Sequence, residues 1–175
     1  MRVCVRLLQD PKEELLLGPA YAIAQLLHRN NLTVADIDVW ELHEAFAGQV
    51  LANLAALNSE KFCTESIGVP GVVGEVPFDK LNLFGGSLSI GHPFGATGTR
   101  LVTTASNRLI HEDGELAVLA ACAAGGLGHA MLVQRWKPKA AATSATSTSN
   151  SNKNNSNKKQ GNKKQGNKKQ GNKKQ

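Results

Sequence analysis

Residues 116–133 read LAVLAACAAGGLGHAMLV, two apolar segments joined by a turn of small residues. The first segment, residues 116–122, is a continuous apolar run, which is typical of a β-strand buried on both faces. The second, residues 130–133, follows after a short glycine-rich turn, so the two segments are close enough to pair as a hairpin. This stretch predicts the centre of a sheet that other elements cover on both sides.

Upstream of this stretch, strand-like and helix-like patterns alternate. Residues 2–8 alternate apolar and polar side chains at their start and stop at Asp10-Pro11, which predicts a strand followed by a turn. Gly18-Pro19 opens a helical pattern that ends at the Asn30-Asn31 pair. The other predicted elements are a strand over residues 37–42, a helix with Phe46, Val50, Leu51, Leu54 and Leu57 on one side, a glycine-interrupted strand over residues 81–90, and a helix carrying Leu101, Val102, Ala105, Leu109 and Ile110 that ends near Asp113-Gly114.

This order of elements predicts an α/β domain. Strands and helices alternate before the final hairpin, which favours a mostly parallel five-stranded sheet with covering helices and an antiparallel edge. Residues 58–79 interrupt the alternation, because they are rich in Gly, Pro and acidic residues and show no sustained period. Irregular segments of this length tend to be functional or to make interactions.

The composition changes sharply near Lys137, which divides the chain into a domain over residues 1–136 and a tail over residues 137–175. The tail is rich in Lys, Asn and Gln and ends in four near-identical five-residue units without apolar side chains. Such a segment buries too little apolar surface to offset the entropy of ordering, so we predict a disordered low-complexity tail. A solvated extension is favoured over electrostatic contact with RNA or an anionic membrane.

The net charge of +6 comes from the tail, since residues 1–136 carry nine Lys and Arg against fourteen Asp and Glu. An acidic domain without a basic stripe is not expected to bind nucleic acid. Three cysteines without a CxxC pair argue against both a disulfide framework and a structural zinc site. No apolar run approaches the roughly 20 residues that span a bilayer.

Reactive side chains follow predicted strands or lie in turns, where open α/β sheets place their ligand sites. They are His43 in ELHEAF, His92 in SIGHPFGATG and Cys122 in AACAAGGLGH. Gly125 and Gly126 would let backbone N–H groups approach a substrate oxygen. Each residue also has a structural interpretation: Cys122 ends an apolar strand and would be buried, His92 would shape a turn, and His43 would enter a helix. The residues alone leave this choice open.

At these positions the sequence resembles the thiolase family. LLLGPAYAI, DIDVWELHEAFAGQVLAN, LNLFGGSLSIGHPFGATGTRLV and LAACAAGGLGHAM follow the family's C-terminal domain in order and spacing, over essentially all of residues 1–136. Most thiolases have Asn where this chain has His43, and Cys-x-Gly-Gly-Gly where this chain has CAAGG from Cys122. Both departures resemble the subgroup of trifunctional-protein β subunits and their bacterial fatty-acid oxidation relatives.

The resemblance implies a 3-ketoacyl-CoA thiolase, an acyltransferase in which a cysteine of the N-terminal domain attacks the 3-keto carbon. His92 would activate that cysteine and help to bind an oxyanion, and Cys122 would act as the general acid and base. His43 would replace the usual asparagine in polarising the thioester oxygen. The backbone N–H of Ala124 would stabilise the tetrahedral intermediate, in the turn that also contains Gly125 and Gly126.

The same resemblance implies acyl-CoA and coenzyme A as substrates, with no permanently bound cofactor. The expected partners are a thiolase N-terminal domain, a second copy in a homodimer, and a trifunctional α subunit. The expected location is mitochondrial, with inner-membrane association. Neither Cys4 nor Cys63 lies in the family's nucleophile motif, so we expect residues 1–175 to be inactive alone.

A rival interpretation is a non-catalytic interaction module. In this alternative the thiolase fold would serve for subunit contacts, while the basic tail would bind acidic partners.

Overall fold

The computed structural model describes the backbone of residues 3–8 and all of residues 10 and 12–137. The predicted tail, apart from Lys137, lies outside the described residues. Four strands form one sheet, namely β1 (Val3–Leu8), β2 (Val39–Leu42), β3 (Leu116–Ala123) and β4 (Leu127–Gln134). Four helices accompany it, namely α1 (Gly18–Arg29), α2 (Ala47–Leu57), α3 (Ser87–Ile90) and α4 (Thr97–His111). The α/β class is therefore confirmed.

The sheet has the strand order β1-β4-β3-β2. The pairs β1–β4 and β3–β4 are antiparallel, and β2–β3 is parallel. The prediction of a mostly parallel five-stranded sheet is therefore wrong for the part of the chain that the structure describes. The hairpin of β3 and β4 is confirmed. Because β1 also pairs with β4, two of the three strand pairs are antiparallel, and antiparallel pairing is not confined to one edge.

The predicted fifth strand, over residues 81–90, is not formed. Leu81 makes a single parallel bridge to Trp40, and the chain then turns away at Asn82, whose φ of 50° is left-handed. The Asn82 side chain bonds both the N–H and the C=O of Leu42, at 2.8 and 2.9 Å, in the place where a continuing strand would pair. The glycines that we interpreted as interruptions of a strand, Gly85 and Gly86, instead lie between this turn and the short helix α3.

The central strand β3 is covered on both faces, as predicted. Val118 and Ala120 pack in a core cluster with α1, while Ala117 and Leu119 pack on the opposite face with Leu101 of α4 and its neighbours. Because consecutive strand residues point to opposite faces, an uninterrupted apolar run is what a strand between two layers requires.

The long segment over residues 58–79 is more ordered than its composition indicated. It contains a π-helical turn over Phe62–Ile67 and is followed by a 3-10 turn over Phe78–Lys80. Cys63, Val69 and Val76 are buried in the cluster with α1. In α2 the predicted apolar side is only partly covered, since Phe46 and Leu51 are 64% and 58% exposed. Within the described residues, no helix is long and apolar enough to cross a bilayer.

Arg108 of α4 is a fully buried cation that joins three segments. Its guanidinium donates to Glu41 Oε1 at 2.8 Å and to the carbonyl oxygens of Trp40 and Lys80 at 3.2 and 3.0 Å. It also bonds both carboxylate oxygens of Glu112, one turn further along α4. Burial raises the pKa of Glu41, and the hydrogen bond from Arg108 opposes this shift. One side chain thus holds α4 against β2 and against the segment that leads to Asn82.

Helix α1 meets the hairpin at a contact between two glycines. A Cβ added to Gly18 would lie 2.5 Å from the Cα of Gly128 and 2.6 Å from the carbonyl oxygen of Leu127. These neighbours are backbone atoms of β4, which cannot rotate away as a side chain would. The absence of a side chain at Gly18 therefore sets how closely α1 approaches the sheet.

We expect Gly18→Ala to lower the free energy of unfolding by roughly 1–3 kcal/mol, because the added methyl group must push α1 from β4. The matched control is Gly48→Ala in α2, where an added Cβ has no heavy atom within 4 Å. That change should be neutral or slightly stabilising, since Ala favours a helix over Gly. Urea denaturation followed by circular dichroism measures both, and equal stability of the two variants would contradict the proposed contact.

Arg108→Met should lower the free energy of unfolding by about 3–5 kcal/mol, because it leaves the Glu41 carboxyl buried without its cation. The double variant Arg108→Met/Glu41→Leu removes both members of the pair and should be less destabilised than the single variant. The same denaturation assay compares them. A double variant that is as unstable as the sum of the two single changes would show that the pair is not coupled.

Candidate active site

The three predicted reactive residues lie around one cavity of about 490 Å³. His43 directly follows β2, Cys122 is the penultimate residue of β3, and His92 lies in the turn before α4. Since β2 and β3 are parallel neighbours, their carboxyl ends meet at the same edge of the sheet. The cavity is also lined by Phe94, Thr97, Gly98, Ala121, Ala123 and Ala124.

His43 is held rigidly at the end of β2. Its backbone N–H donates to the carbonyl oxygen of Ala120 at 2.8 Å, and only 3% of the residue is exposed. The ring Nδ1 lies 3.1 Å from Ser87 Oγ. Burial lowers the pKa of His43, and the nearby charges of His92 and Arg100 lower it further. The ring is therefore neutral at physiological pH.

The imidazole rings of His43 and His92 lie against each other, with centroids 4.2 Å apart and planes inclined at 41°. His92 also contacts the ring of Phe94, whose centroid is 4.9 Å away. Phe94 is itself 88% exposed, so this ring presents a large apolar surface at the rim of the cavity. Two histidines that share one site disfavour simultaneous protonation.

The orientation of His92 follows from a hydrogen-bond chain in its own turn. Its Nδ1 lies 2.6 Å from Thr97 Oγ1, and the Thr97 hydroxyl donates to the carbonyl oxygen of Pro93 at 3.2 Å. Because the single hydroxyl hydrogen is used on Pro93, Nδ1 of His92 must be the donor to Thr97. In the neutral form of this ring, Nε2 carries the lone pair and can accept a proton from a nucleophile.

Cys122 is half-buried, opposite Gly128 in the hairpin. Burial raises the pKa of its thiol, so the protonated form dominates near neutral pH. This state suits a proton donor better than a resting nucleophile. By contrast, Cys63 is fully buried, and its Sγ lies 3.4 Å from the carbonyl oxygen of Leu57, so it packs in the core away from the cavity lining.

The turn after Cys122 contributes unequally to the cavity. Ala124 lines it, while Gly125 and Gly126 lie in the same turn but are not among its lining residues. Both glycines have positive φ, 85° and 75°, a conformation that L side chains rarely adopt. Of the three predicted residues of this turn, Ala124 therefore lies at the cavity, and the two glycines do not line it.

Glu44 connects the histidine segment to the loop that carries Ser87. Its Oε1 accepts from the Asn82 side chain at 2.6 Å, and its Oε2 accepts from the backbone N–H of Leu88 at 3.1 Å. The loop glycine Gly86 lies directly against this carboxylate, leaving no space for a Cβ. Glu44 thus fixes the position of α3 beside His43.

Four of these residues were not predicted from the sequence, namely Glu44, Asn82, Ser87 and Thr97. Thr97 had a local signal, since a hydroxyl five residues after His92 lies near it in a tight turn followed by a helix. Ser87 and Asn82 had none, because they meet His43 and its neighbours across more than 35 positions of sequence. Only the folded chain brings them together.

Comparison with known proteins identifies the family of the chain. A family model described as "Thiolase, C-terminal domain" matches residues 2–135. A probable 3-ketoacyl-CoA thiolase of Caenorhabditis elegans is 61% identical over 128 residues, which are 73% of this chain and 29% of that protein. The mitochondrial trifunctional enzyme subunit beta of Bos taurus is 56% identical over 128 residues, covering 73% of this chain and 27% of that protein. The chain thus spans less than a third of the length of these relatives.

Solved structures agree with the sequence comparisons. Human mitochondrial 3-ketoacyl-CoA thiolase is similar with a TM-score of 0.60 at 30% identity, over 76% of this chain and 29% of that one. An acetyl-CoA acetyltransferase of Bacillus anthracis has a TM-score of 0.61 at 28% identity, over 75% of this chain and 29% of that one. The chain therefore belongs to the thiolase family, in which its residues 2–135 match the C-terminal domain.

Proposed function

We propose that the cavity beside His43, His92 and Cys122 is the C-terminal half of the active site of a 3-ketoacyl-CoA thiolase, an acetyl-CoA C-acyltransferase of fatty-acid β-oxidation. The observation that carries this proposal is the cavity itself. It combines a neutral His43 ring, a His92 whose Nδ1 is hydrogen-bonded to Thr97, and a protonated thiol. Identity of 61% to a probable 3-ketoacyl-CoA thiolase supports the substrate class.

In this reaction a cysteine from a thiolase N-terminal domain attacks C3 of the 3-ketoacyl-CoA. His92 Nε2 takes the proton of that cysteine, and a hydrogen bond to the resulting oxyanion stabilises the tetrahedral intermediate. The C2–C3 bond then breaks, and its electron pair moves to C2 of the departing acetyl-CoA enolate. The acyl group remains on the attacking cysteine as a thioester.

Cys122 completes both halves of the cycle as a general acid and base. Its thiol protonates C2 of the acetyl-CoA enolate, which leaves a Cys122 thiolate. That thiolate then takes the proton from coenzyme A, and the coenzyme A sulfur attacks the acyl thioester. The bond between the acyl carbon and the nucleophilic cysteine breaks, the shortened acyl-CoA is released, and the cysteine thiolate takes back its proton from His92. His43 polarises the thioester oxygen through a ring N–H, and the backbone N–H of Ala124 donates to the tetrahedral oxygen.

Coenzyme A acts as a cosubstrate, and the chemistry uses no permanently bound cofactor. The names of the bovine and other β subunits support a mitochondrial location and a multisubunit enzyme. We propose further that the enzyme is a homodimer, that it assembles with a trifunctional α subunit, and that it associates with the inner membrane. We also propose that the catalytic domain ends near residue 136, before the basic tail.

Cys122→Ala should lower kcat at least 100-fold when these residues are joined to a thiolase N-terminal domain of a close relative, because general acid and base catalysis contributes about 10²–10⁴. The measurement is coenzyme A-dependent cleavage of a 3-ketoacyl-CoA. The control is Cys63→Ala, which changes a buried cysteine outside the cavity lining and should retain activity. Unchanged activity in Cys122→Ala would refute the assignment and favour a non-catalytic interaction module.

Alkylation of Cys122 by iodoacetamide should show a rate midpoint at a higher pH than the roughly 8.5 of a free cysteine. The reason is that burial raises the pKa of this thiol, so the reactive thiolate forms only at higher pH. Peptide mass spectrometry at a series of pH values measures the midpoint, with a Cys-containing peptide as the control. Reduced access lowers the rate at every pH but does not move the midpoint. A midpoint below that of the peptide would contradict an acid role.

A further inference from the structure

A buried serine outside the predicted site residues contacts His43. Ser87 is the first residue of α3, is 8% exposed, and places its Oγ 3.1 Å from His43 Nδ1. The same oxygen lies 3.3 Å from Nη2 of Arg100, on the first turns of α4. Ser87 is therefore the middle member of a chain that runs from Arg100 to His43.

The direction of this chain follows from the chemistry of its ends. A guanidinium has no acceptor, so Arg100 can only donate to Ser87 Oγ. Ser87 Oγ has a second lone pair, so this contact alone does not decide where the hydroxyl hydrogen points. Ser87 is buried, however, and within the described residues His43 Nδ1 is the one acceptor in contact with its hydroxyl. Because a buried hydroxyl normally donates to an acceptor, Nδ1 accepts this hydrogen through a lone pair. A neutral imidazole that accepts at Nδ1 carries its proton on Nε2.

We propose that Ser87, oriented by Arg100, is a positioning residue that holds His43 in the Nε2–H tautomer. In this state the ring nitrogen that remains for a cavity ligand is a hydrogen-bond donor. His92 is held in the opposite tautomer by Thr97, with its proton on Nδ1 and its lone pair on Nε2. The two adjacent rings are thereby assigned different tasks, one as a donor to a substrate oxygen and the other as a proton acceptor.

The surroundings of His43 agree with a neutral ring. Burial lowers its pKa, and the charges of His92 and Arg100 act in the same direction, while Glu44 opposes them. The Glu44 carboxylate is occupied by the Asn82 side chain and the Leu88 N–H. A cationic His43, which would donate from both nitrogens, would also lose the acceptor role towards Ser87.

The consequence for catalysis rests on the proposed thiolase function. If Nδ1 of His43 carried the proton, Nε2 would present a lone pair to the thioester oxygen, which is repulsive. Most thiolases have an asparagine at the position of His43, and an asparagine amide donates without any choice of tautomer. A histidine at this position donates only in the Nε2–H tautomer, which Ser87 favours.

The test begins with the 175-residue chain labelled with ¹⁵N-histidine. Two-bond ¹H–¹⁵N correlation spectra at pH 7.5 distinguish a protonated ring nitrogen from one with a lone pair, independently of activity. We expect the Nε2–H tautomer of His43 in the wild-type chain and a mixture of both tautomers in Ser87→Ala. The matched control is Ser89→Ala, which removes a hydroxyl of the same short helix that donates to the carbonyl oxygen of Gly86 instead; it should leave the His43 spectrum unchanged.

Ser87→Thr keeps the hydroxyl and should restore the Nε2–H tautomer, which separates loss of the hydrogen bond from general disturbance of α3. In the enzyme joined to a thiolase N-terminal domain, Ser87→Ala should lower kcat about tenfold, the effect of one lost hydrogen bond, with a smaller change in KM.

A wild-type His43 with its proton on Nδ1, or a Ser87→Ala spectrum identical to that of the wild type, would overturn the proposal. Absence of thiolase activity in the joined wild-type enzyme would count against the proposed function alone, because the tautomer is measured without turnover.

Discussion

The buried guanidinium of Arg108 is the constraint on which the site depends most. It binds the end of β2, the segment at Lys80 and its own helix, which are the three parts of the chain that lead into the cavity. His43 follows the first, Ser87 the second, and His92 precedes the third. A buried cation requires its partners in fixed positions, because leaving it unpaired costs several kcal/mol. The relative position of these segments is therefore set well outside the cavity itself.

Near the cavity, hydrogen bonds set the orientation of the side chains. Every polar contact of the two histidine rings is directional, since Thr97 fixes His92 and Ser87 lies against His43. Burial lowers the pKa of His43 and raises the pKa of Cys122, so both side chains are uncharged at neutral pH. These are properties of a partly desolvated environment, where unpaired charges are disfavoured and hydrogen bonds decide which atom carries a proton.

The fold was predictable in segments where the order of apolar and polar residues depends on the burial of that segment alone. The apolar run of β3 predicted a strand covered on both faces, and Pro19 with Asn30 bounded α1 correctly. The strand predicted over residues 81–90 was wrong, because an apolar pattern does not show whether a neighbouring strand is available, and here Leu83, Leu88 and Ile90 are at least half exposed. Asn82 occupies the backbone groups of Leu42 with its own amide, so the sheet ends there.

The sequence alone determined the α/β class and, through four motifs in order, the thiolase resemblance with His43, His92 and Cys122 as its reactive residues. These features are local, because periodicity and short motifs are properties of neighbouring residues. Only the tertiary structure decided the mixed strand order and the contact of Ser87 with His43, 44 residues away. The tautomer of a histidine depends on which partner each nitrogen meets, and long-range folding supplies those partners.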